Sequence, residues 1–296
     1  MTLVLAVNGP ETNWMLVDTR LSFNNRPPKE DGKKLMILET SDAVAILGYA
    51  GLGQTARGTQ PSDWMNAVLR GRNFPLEQML GTLSDALKRE FPLHLNGLIP
   101  SHTIVVTAFC NNEVRVYTID FILTESGKYT FAFQRHVRPP KQRAPRFAAA
   151  GSGAHYFLGN KKPLRSLLRA VRAHDRGMLS ALSVADEFAQ LNLEVHRNYN
   201  TVGPRCVVAW RHRLGGLHKG GGAHQFYNGI GKESDSFSIP IIAGGADIQA
   251  VLGVLAPQFF RTLDAVSKGE STPEFKGEKL RDALSRLPNT PSERLD

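Results

Sequence analysis

Short apolar runs recur along the chain, and their period separates strands from helices. LVLAV (residues 3–7) and WMLVD (14–18) read as strands joined by NGPETN, where Asn8-Gly9 is a strong hairpin signal. KLMIL (34–38) and AVAILG (43–48) read as two more. GYAGLGQ then leads into a helical region, with Ser62 as the expected N-cap of DWMNAVLRG and a second amphipathic helix over 75–91, stopped by Pro92. HTIVVTAFC (102–110), EVRVYTIDFIL (113–123) and KYTFAFQRHV (128–137) are strand-like, with turns at 111–112 and 126–128. PPKQRAP (139–145) is a loop, and RFAAAG (146–151) a short strand ending in a GSG turn. Helical periodicity follows around 154–173 and 183–198, the second helix carrying Leu182, Ala185, Phe188, Ala189 and Leu193 on one face, and RCVVAWRHR (205–213) is a further strand.

Strands, two helices, strands, two helices, strands: that order predicts a layered α+β sandwich with an antiparallel core. A doubly wound parallel sheet would alternate strand and helix singly. The character changes after residue 213. LGGLHKGGGAH reads as a flexible glycine-rich loop, IPIIAGGADIQAVLGVLAPQFFRTLDAV as a strand and a helix, and the polar tail beyond as fraying. The expected division is residues 1–213 as one domain and 214–296 as a partly folded C-terminal extension.

Composition narrows the class. Of 296 residues, 42% are hydrophobic and 21% charged, the balance of a globular chain. No apolar run approaches the roughly 18 residues that span a membrane. MTLVLAV runs straight into NGPETN without a basic segment before it, so neither a signal peptide nor a membrane is expected and a cytoplasmic location is. Cys110 and Cys206 sit in strand-like runs and read as buried free thiols. The net charge of +9 is densest in NKKPLRSLLRAVRAHDR, but there Leu164, Leu167, Leu168 and Val171 form a buried stripe, with Lys161, Lys162, Arg165, Arg169 and Arg172 largely outside it. No aromatics interleave with these charges, so nucleic acid is not an expected partner.

Thr2 is the candidate nucleophile. A threonine hydroxyl needs a base, and removal of Met1 would supply one, the α-amino group, which titrates at about 7.7–8.0 in peptides. Such a site wants a cation to favour deprotonated forms and a carboxylate to hold that cation. Asp18 ends the second strand and Lys34 enters the third, each sixteen residues after its predecessor in the set, so in neighbouring strands of one sheet all three are expected to meet at one end.

Thr2, Asp18-Thr19-Arg20 and Lys34 stand at the spacing of the proteasome β-subunit family of N-terminal nucleophile hydrolases, including the HslV protease and its Anbu relatives, and over residues 2–211 the chain resembles that family. AILGYAGLGQTA is similar to the family's glycine turn, whose backbone N–H forms the oxyanion hole; Gly51 is the first match for that donor and Gly48 the second. AAAGSGAHYF is similar to its GSG turn, which makes Ser152 the counterpart of the site serine. The resemblance implies a four-layer αββα sandwich of two antiparallel sheets. It implies a threonine-type peptidase or amide hydrolase, a peptide or protein substrate, a homo-oligomeric ring, an ATP-driven unfoldase as a possible partner, and no cofactor or metal. Arg20 would brace the turn at the site. After the last helix the family has an aspartate and a serine; VHRNYNTVG offers Asn198 and Thr201 instead, and Asn198 carries no charge. The mature chain would continue with Leu3 rather than a second threonine, and the residues after 211 have no counterpart in HslV.

The same fold also serves as inactive ring subunits, so a catalytically inactive structural or binding role is the alternative. GYAGLG has G-x-x-G-x-G spacing and not the dinucleotide fingerprint. His212, His218 and His224 match no metal-site spacing and read as surface histidines.

Overall fold

β1 (Val4–Asn8) and β2 (Thr12–Asp18) are buried at every position because both their faces are covered. Odd positions of β1 (Leu5, Val7) and even positions of β2 (Trp14, Leu16) face a helical layer, and Val4, Ala6, Met15 and Val17 face the second sheet. The near-continuous apolar runs in the sequence are this two-sided burial. The computed structural model describes residues 2–22, 27–55, 58–91, 102–136, 146–232, 238–268, 277–287 and 290–292.

The remaining strands are β3 (Leu35–Glu39), β4 (Ala43–Ala50), β5 (Thr103–Cys110), β6 (Glu113–Leu123), β7 (Tyr129–His136), β8 (Arg146–Ala150), β9 (Arg205–His212), β10 (Gly221–Tyr227), β11 (Ile230–Lys232), β12 (Ile241–Ala243) and β13 (Ala246–Asp247). Among the described residues they form two sheets, in the orders β11-β10-β9-β2-β1-β8 and β13-β12-β3-β4-β5-β6-β7. Helices α1 (Pro61–Leu69) and α2 (Leu76–Glu90) cover the second sheet through Trp64, Met65, Leu80 and Leu83. A 3-10 turn (Ser152–His155) and a short α3 (Tyr156–Gly159) lead to α4 (Lys161–Asp175). With α5 (Ala181–Asn198), α4 covers the first sheet through Leu164, Leu167, Phe188 and Val195. The result is the αββα sandwich, and each fully buried Leu or Phe in it contributes about 1.5–3 kcal/mol of apolar burial. Cys110 and Cys206 are buried and free.

Several local expectations change. Ser62 is not the cap of α1: Gln60 holds that position, Pro61 fills the first turn without needing an N–H partner, and the Ser62 N–H donates to the Lys33 carbonyl at 3.1 Å. The helix expected over 154–173 breaks at Asn160, whose backbone is extended. In α5, Leu182 is exposed because Ser180, the cap, places it on the outer side of the first turn, while Val184, Leu191 and Val195 are buried.

The chain after residue 213 adds strands to both sheets. Gly221 and Gly222, expected in a loop, belong to β10 and pair with β9. Glycine suits the position because a Cβ on Gly222 would lie 2.4 Å from the Trp210 ring. β12 runs parallel to β3, an exception to the antiparallel pairing elsewhere, and the Ile37 N–H donates to the Pro240 carbonyl at 2.9 Å. Helix α6 (Ile248–Ser267) is capped by Asp247, which accepts from the Ala250 N–H, and it leaves Leu252, Phe259, Phe260, Leu263 and Val266 exposed. α7 (Gly277–Ser285) packs near it. No helix among the described residues is long and apolar enough to cross a membrane. Met1, Pro92 and the loop over 139–145 lie outside the described residues.

Candidate active site

Register brings the spaced residues together. β1 and β2 pair Val4 with Val17, so Thr2 and Asp18 lie at one end of the hairpin, and the Asp18 N–H donates to the Leu3 carbonyl at 3.1 Å. β3 begins at Leu35, which leaves Lys34 at the same end of the facing sheet, its carbonyl accepting from the Tyr49 N–H at 2.9 Å. The three side chains meet. The Lys34 ammonium donates to Thr2 Oγ1, and Thr2 Oγ1 donates to Asp18 Oδ1. Thr2 is 1% exposed, Lys34 3% and Asp18 fully buried.

Both charges are well furnished. Asp18 Oδ1 also accepts from the Leu3 N–H at 2.8 Å and from Lys34 Nζ at 3.2 Å, while Oδ2 accepts from the backbone N–H groups of Gly203 at 3.0 Å and Arg20 at 3.2 Å. Lys34 Nζ has a further acceptor in the Arg20 carbonyl at 2.6 Å. Thr2 Oγ1, Asp18 and Arg20 O thus match the three hydrogens of an ammonium. Burial pushes the Lys34 pKa below the ordinary lysine range, with Asp18 opposing the shift.

Gly151 and Gly153 carry the GSG turn over Thr2. Gly151 has φ +85°, and a Cβ there would lie 2.1 Å from the Thr2 carbonyl oxygen, so only glycine fits. The Gly153 N–H donates to that carbonyl at 3.3 Å. Ser152 Oγ and Thr201 Oγ1 are hydrogen-bonded at 2.7 Å. Asn198 is not brought to this cluster: it is exposed at the end of α5, and its amide donates to the Glu194 carbonyl one turn back. A short amide at a helix end is satisfied by its own helix, and nothing in the spacing of VHRNYNTVG revealed that.

The two candidate oxyanion glycines differ in setting. Gly48 lies inside β4, paired with Leu35 and Val105, and is packed against Met15 between the sheets. Gly51 is the first residue past β4, with φ +143°. The Leu52 N–H donates to Tyr49 Oη and His102 Nδ1, both at 3.1 Å, and those two atoms are 2.8 Å apart. Burial pushes His102 down to about 4 and the Tyr49 phenol up. Neither residue was visible as a site feature in the sequence, because His102 reads there only as the start of a strand.

Glu30 is another residue that sequence reasoning missed. It accepts from Arg20 Nε at 2.5 Å, and Arg20 Nη1 donates to the Asn200 carbonyl at 2.5 Å. The basic and acidic residues over 26–34 give no spacing that singles it out.

At the other end of β1, β2 and β9, three imidazoles stack. His174 lies 4.4 Å from His218 and 5.5 Å from His212, and His212 lies 5.1 Å from His218, centroid to centroid. His212, expected at the surface, is 8% exposed and meets Thr12 Oγ1 at 3.0 Å, because β9 carries it inward opposite Thr12. Burial pushes His212 down to about 4, with the neighbouring imidazoles and Arg211 adding to the shift; it lowers His174 and lifts the Asp175 carboxyl to about 6. Among the described residues no group of three or more His, Cys, Asp or Glu could hold a metal ion.

No family model matches the chain, nor does any curated protein. Among solved structures, the Anbu complex of Pseudomonas aeruginosa, described as a helical assembly, is 13% identical and covers 93% of this chain and 99% of its own at a TM-score of 0.47. Anbu from Hyphomicrobium sp. strain MC1 is 12% identical, with 96% and 97% coverage and a TM-score of 0.46. Anbu (ancestral beta-subunit) from Yersinia bercovieri is 13% identical, with 71% and 82% coverage and a TM-score of 0.43. Likenesses this loose bear neither on the chain's chemistry nor on its assembly.

Proposed function

We propose that the chain is a proteasome-like amide hydrolase whose nucleophile is Thr2, exposed as the first residue by removal of Met1. The observation that supports this most is the contact of Thr2 Oγ1 with both Lys34 and Asp18 in a buried setting. In this reading Thr2 Oγ attacks the carbonyl carbon of a peptide bond, forming a C–O bond while its proton passes to the Thr2 α-amino group. The oxyanion meets the Gly51 N–H, a donor of the kind that contributes about 3 kcal/mol in comparable sites. Collapse of the tetrahedral species breaks the C–N bond, and the leaving amine takes the proton from the α-amino group. Water then hydrolyses the ester. The Lys34 ammonium favours the deprotonated hydroxyl, Asp18 anchors Lys34, and Ser152 with Thr201 orients the amine. Asn198 has no role. The substrate class is peptide, met inside a ring of identical copies.

Asn198 is exposed and turned onto its own helix where the family has an aspartate, which favours the second reading, an inactive subunit of the same fold. Intact mass separates the two. The enzyme reading expects loss of one methionine and a single adduct with a threonine-directed epoxyketone, absent in Thr2→Ala. Retention of Met1 on the purified protein would overturn it.

A further inference from the structure

We infer that Glu30 is a positioning residue of the Thr2 site: it clamps Arg20 so that the Arg20 carbonyl meets the Lys34 ammonium, and it offsets the guanidinium charge beside that ammonium. The inference rests on the reading of Thr2 as nucleophile for its catalytic meaning, and on geometry for the rest.

Glu30 is fixed from several sides. Its backbone carbonyl accepts from Thr19 Oγ1 at 3.0 Å and from Arg205 Nη1 at 3.2 Å. Its Oε1 holds Arg20 Nε at 2.5 Å in a pair whose side chains are 17% and 25% exposed. Its Oε2 is buried, without a hydrogen-bond partner among the described residues, and sits where a Cβ on Gly203 would be, 2.3 Å away. Gly203 in turn gives its N–H to Asp18 Oδ2. One carboxylate therefore touches both the strand-end loop that carries Arg20 and the turn that carries Gly203.

The electrostatic role follows from what surrounds Lys34. Asp18 faces it from β2, Thr2 from before β1, and Arg20 and Glu30 from the loop after β2. Asp31 and Lys33 flank it in sequence, Lys33 pairing with Asp63 at 3.6 Å. Arg205 stands behind Glu30 on β9. Glu30 favours the Lys34 ammonium and Arg20 disfavours it. Without Glu30, Arg20 would be an unbalanced cation next to a buried cation. Lys34 would then give up its third hydrogen more readily, and with it the match to Thr2 Oγ1, Asp18 and Arg20 O.

The test follows the Lys34 titration by NMR of 13Cε-labelled lysine, with Lys34→Arg to assign the signal, and measures the rate of the Thr2 epoxyketone adduct on the same samples. Glu30→Gln keeps the shape and removes the charge. It is expected to move the Lys34 midpoint down by about half a unit to one unit and to slow the adduct about tenfold, with a melting temperature close to the wild type. Arg20→Met is expected to move the midpoint up, an opposite sign that general loosening of the loop does not produce, and it serves alone if Glu30→Gln fails to fold. An unmoved midpoint in either folded variant overturns the inference, even where the adduct slows. A midpoint that moves as expected in a protein whose Thr2 takes no adduct supports the Glu30–Arg20–Lys34 coupling and sinks the nucleophile reading.

Discussion

The two ends of the sandwich bury polar groups by opposite means. At the Thr2 end, charge is admitted and matched: Asp18 is fully buried and collects backbone N–H donors as well as Lys34. At the His174 end, charge is resisted: burial lowers the pKa of His174 and His212 and pushes the Asp175 carboxyl toward its acid form. The difference is one of donors. Asp18 meets several oriented N–H groups, whereas His174 and His212 are buried beside one another and beside His218, and burial disfavours their charged forms. The first arrangement suits chemistry that needs an ion. The second makes stability depend on pH.

The comparison breaks most sharply at Asp18. Asp18→Ala leaves Lys34 buried without a counter-charge, and the expected loss is about 3–5 kcal/mol in urea unfolding at pH 7; a loss under about 1 kcal/mol would mean that the charges at this end are not matched as described.

The His174 end gives a smaller effect with a sign that depends on pH. Asp175 has a folded pKa of about 6, raised above its unfolded value, so its contribution is fully present at low pH and is lost as pH rises through 6. Asp175→Asn is therefore expected to gain about 1 kcal/mol at pH 8, allowing for partial solvent screening, and to lose that advantage by pH 4. His212 works the other way. Its folded pKa is depressed to about 4, so the native state loses stability as pH falls from 6.5 toward 4, and His212→Asn should flatten that decline in urea midpoints measured across the range. The smallest effect is at the edge of the Thr2 end: Thr201→Val removes the 2.7 Å bond to Ser152, and about 0.5 kcal/mol in thermal unfolding is expected.

Much of the Thr2 end was legible because it is built from strand ends. Run lengths put Asp18 and Lys34 at strand ends, but the expectation of neighbouring strands in one sheet fails: β3 belongs to the facing sheet, and it is the packing of the two sheets that brings Lys34 to Thr2. Ser152 and Thr201 were singled out only through the resemblance of AAAGSGAHYF and VHRNYNTVG to the family's turns. Glu30, Tyr49 and His102 were not legible, because each acts through contacts across loops or neighbouring strands, which no periodicity encodes. Asn198 misled because sequence order near a helix end does not tell which way an amide turns. The histidine stack was hidden for a related reason: His174 and His218 come from a helix and a glycine-rich loop that only the paired strands bring together. At the scale of the fold, the strand and helix after residue 238 were visible as apolar runs, but their membership of the second sheet was not.

That membership orders events on a growing chain. The outer edge of β3, which begins one residue after Lys34, finds its neighbour only when Ile241–Ala243 have been made. Until then a nascent protein carries an unpaired edge of Leu, Met and Ile backbone, the kind of surface on which strands from other chains nucleate aggregates. Most of the molecule must be made before β3 is sealed, so a transcript truncated ahead of Pro240 would encode every residue of the threonine cluster and still leave the outer edge of β3 unpaired.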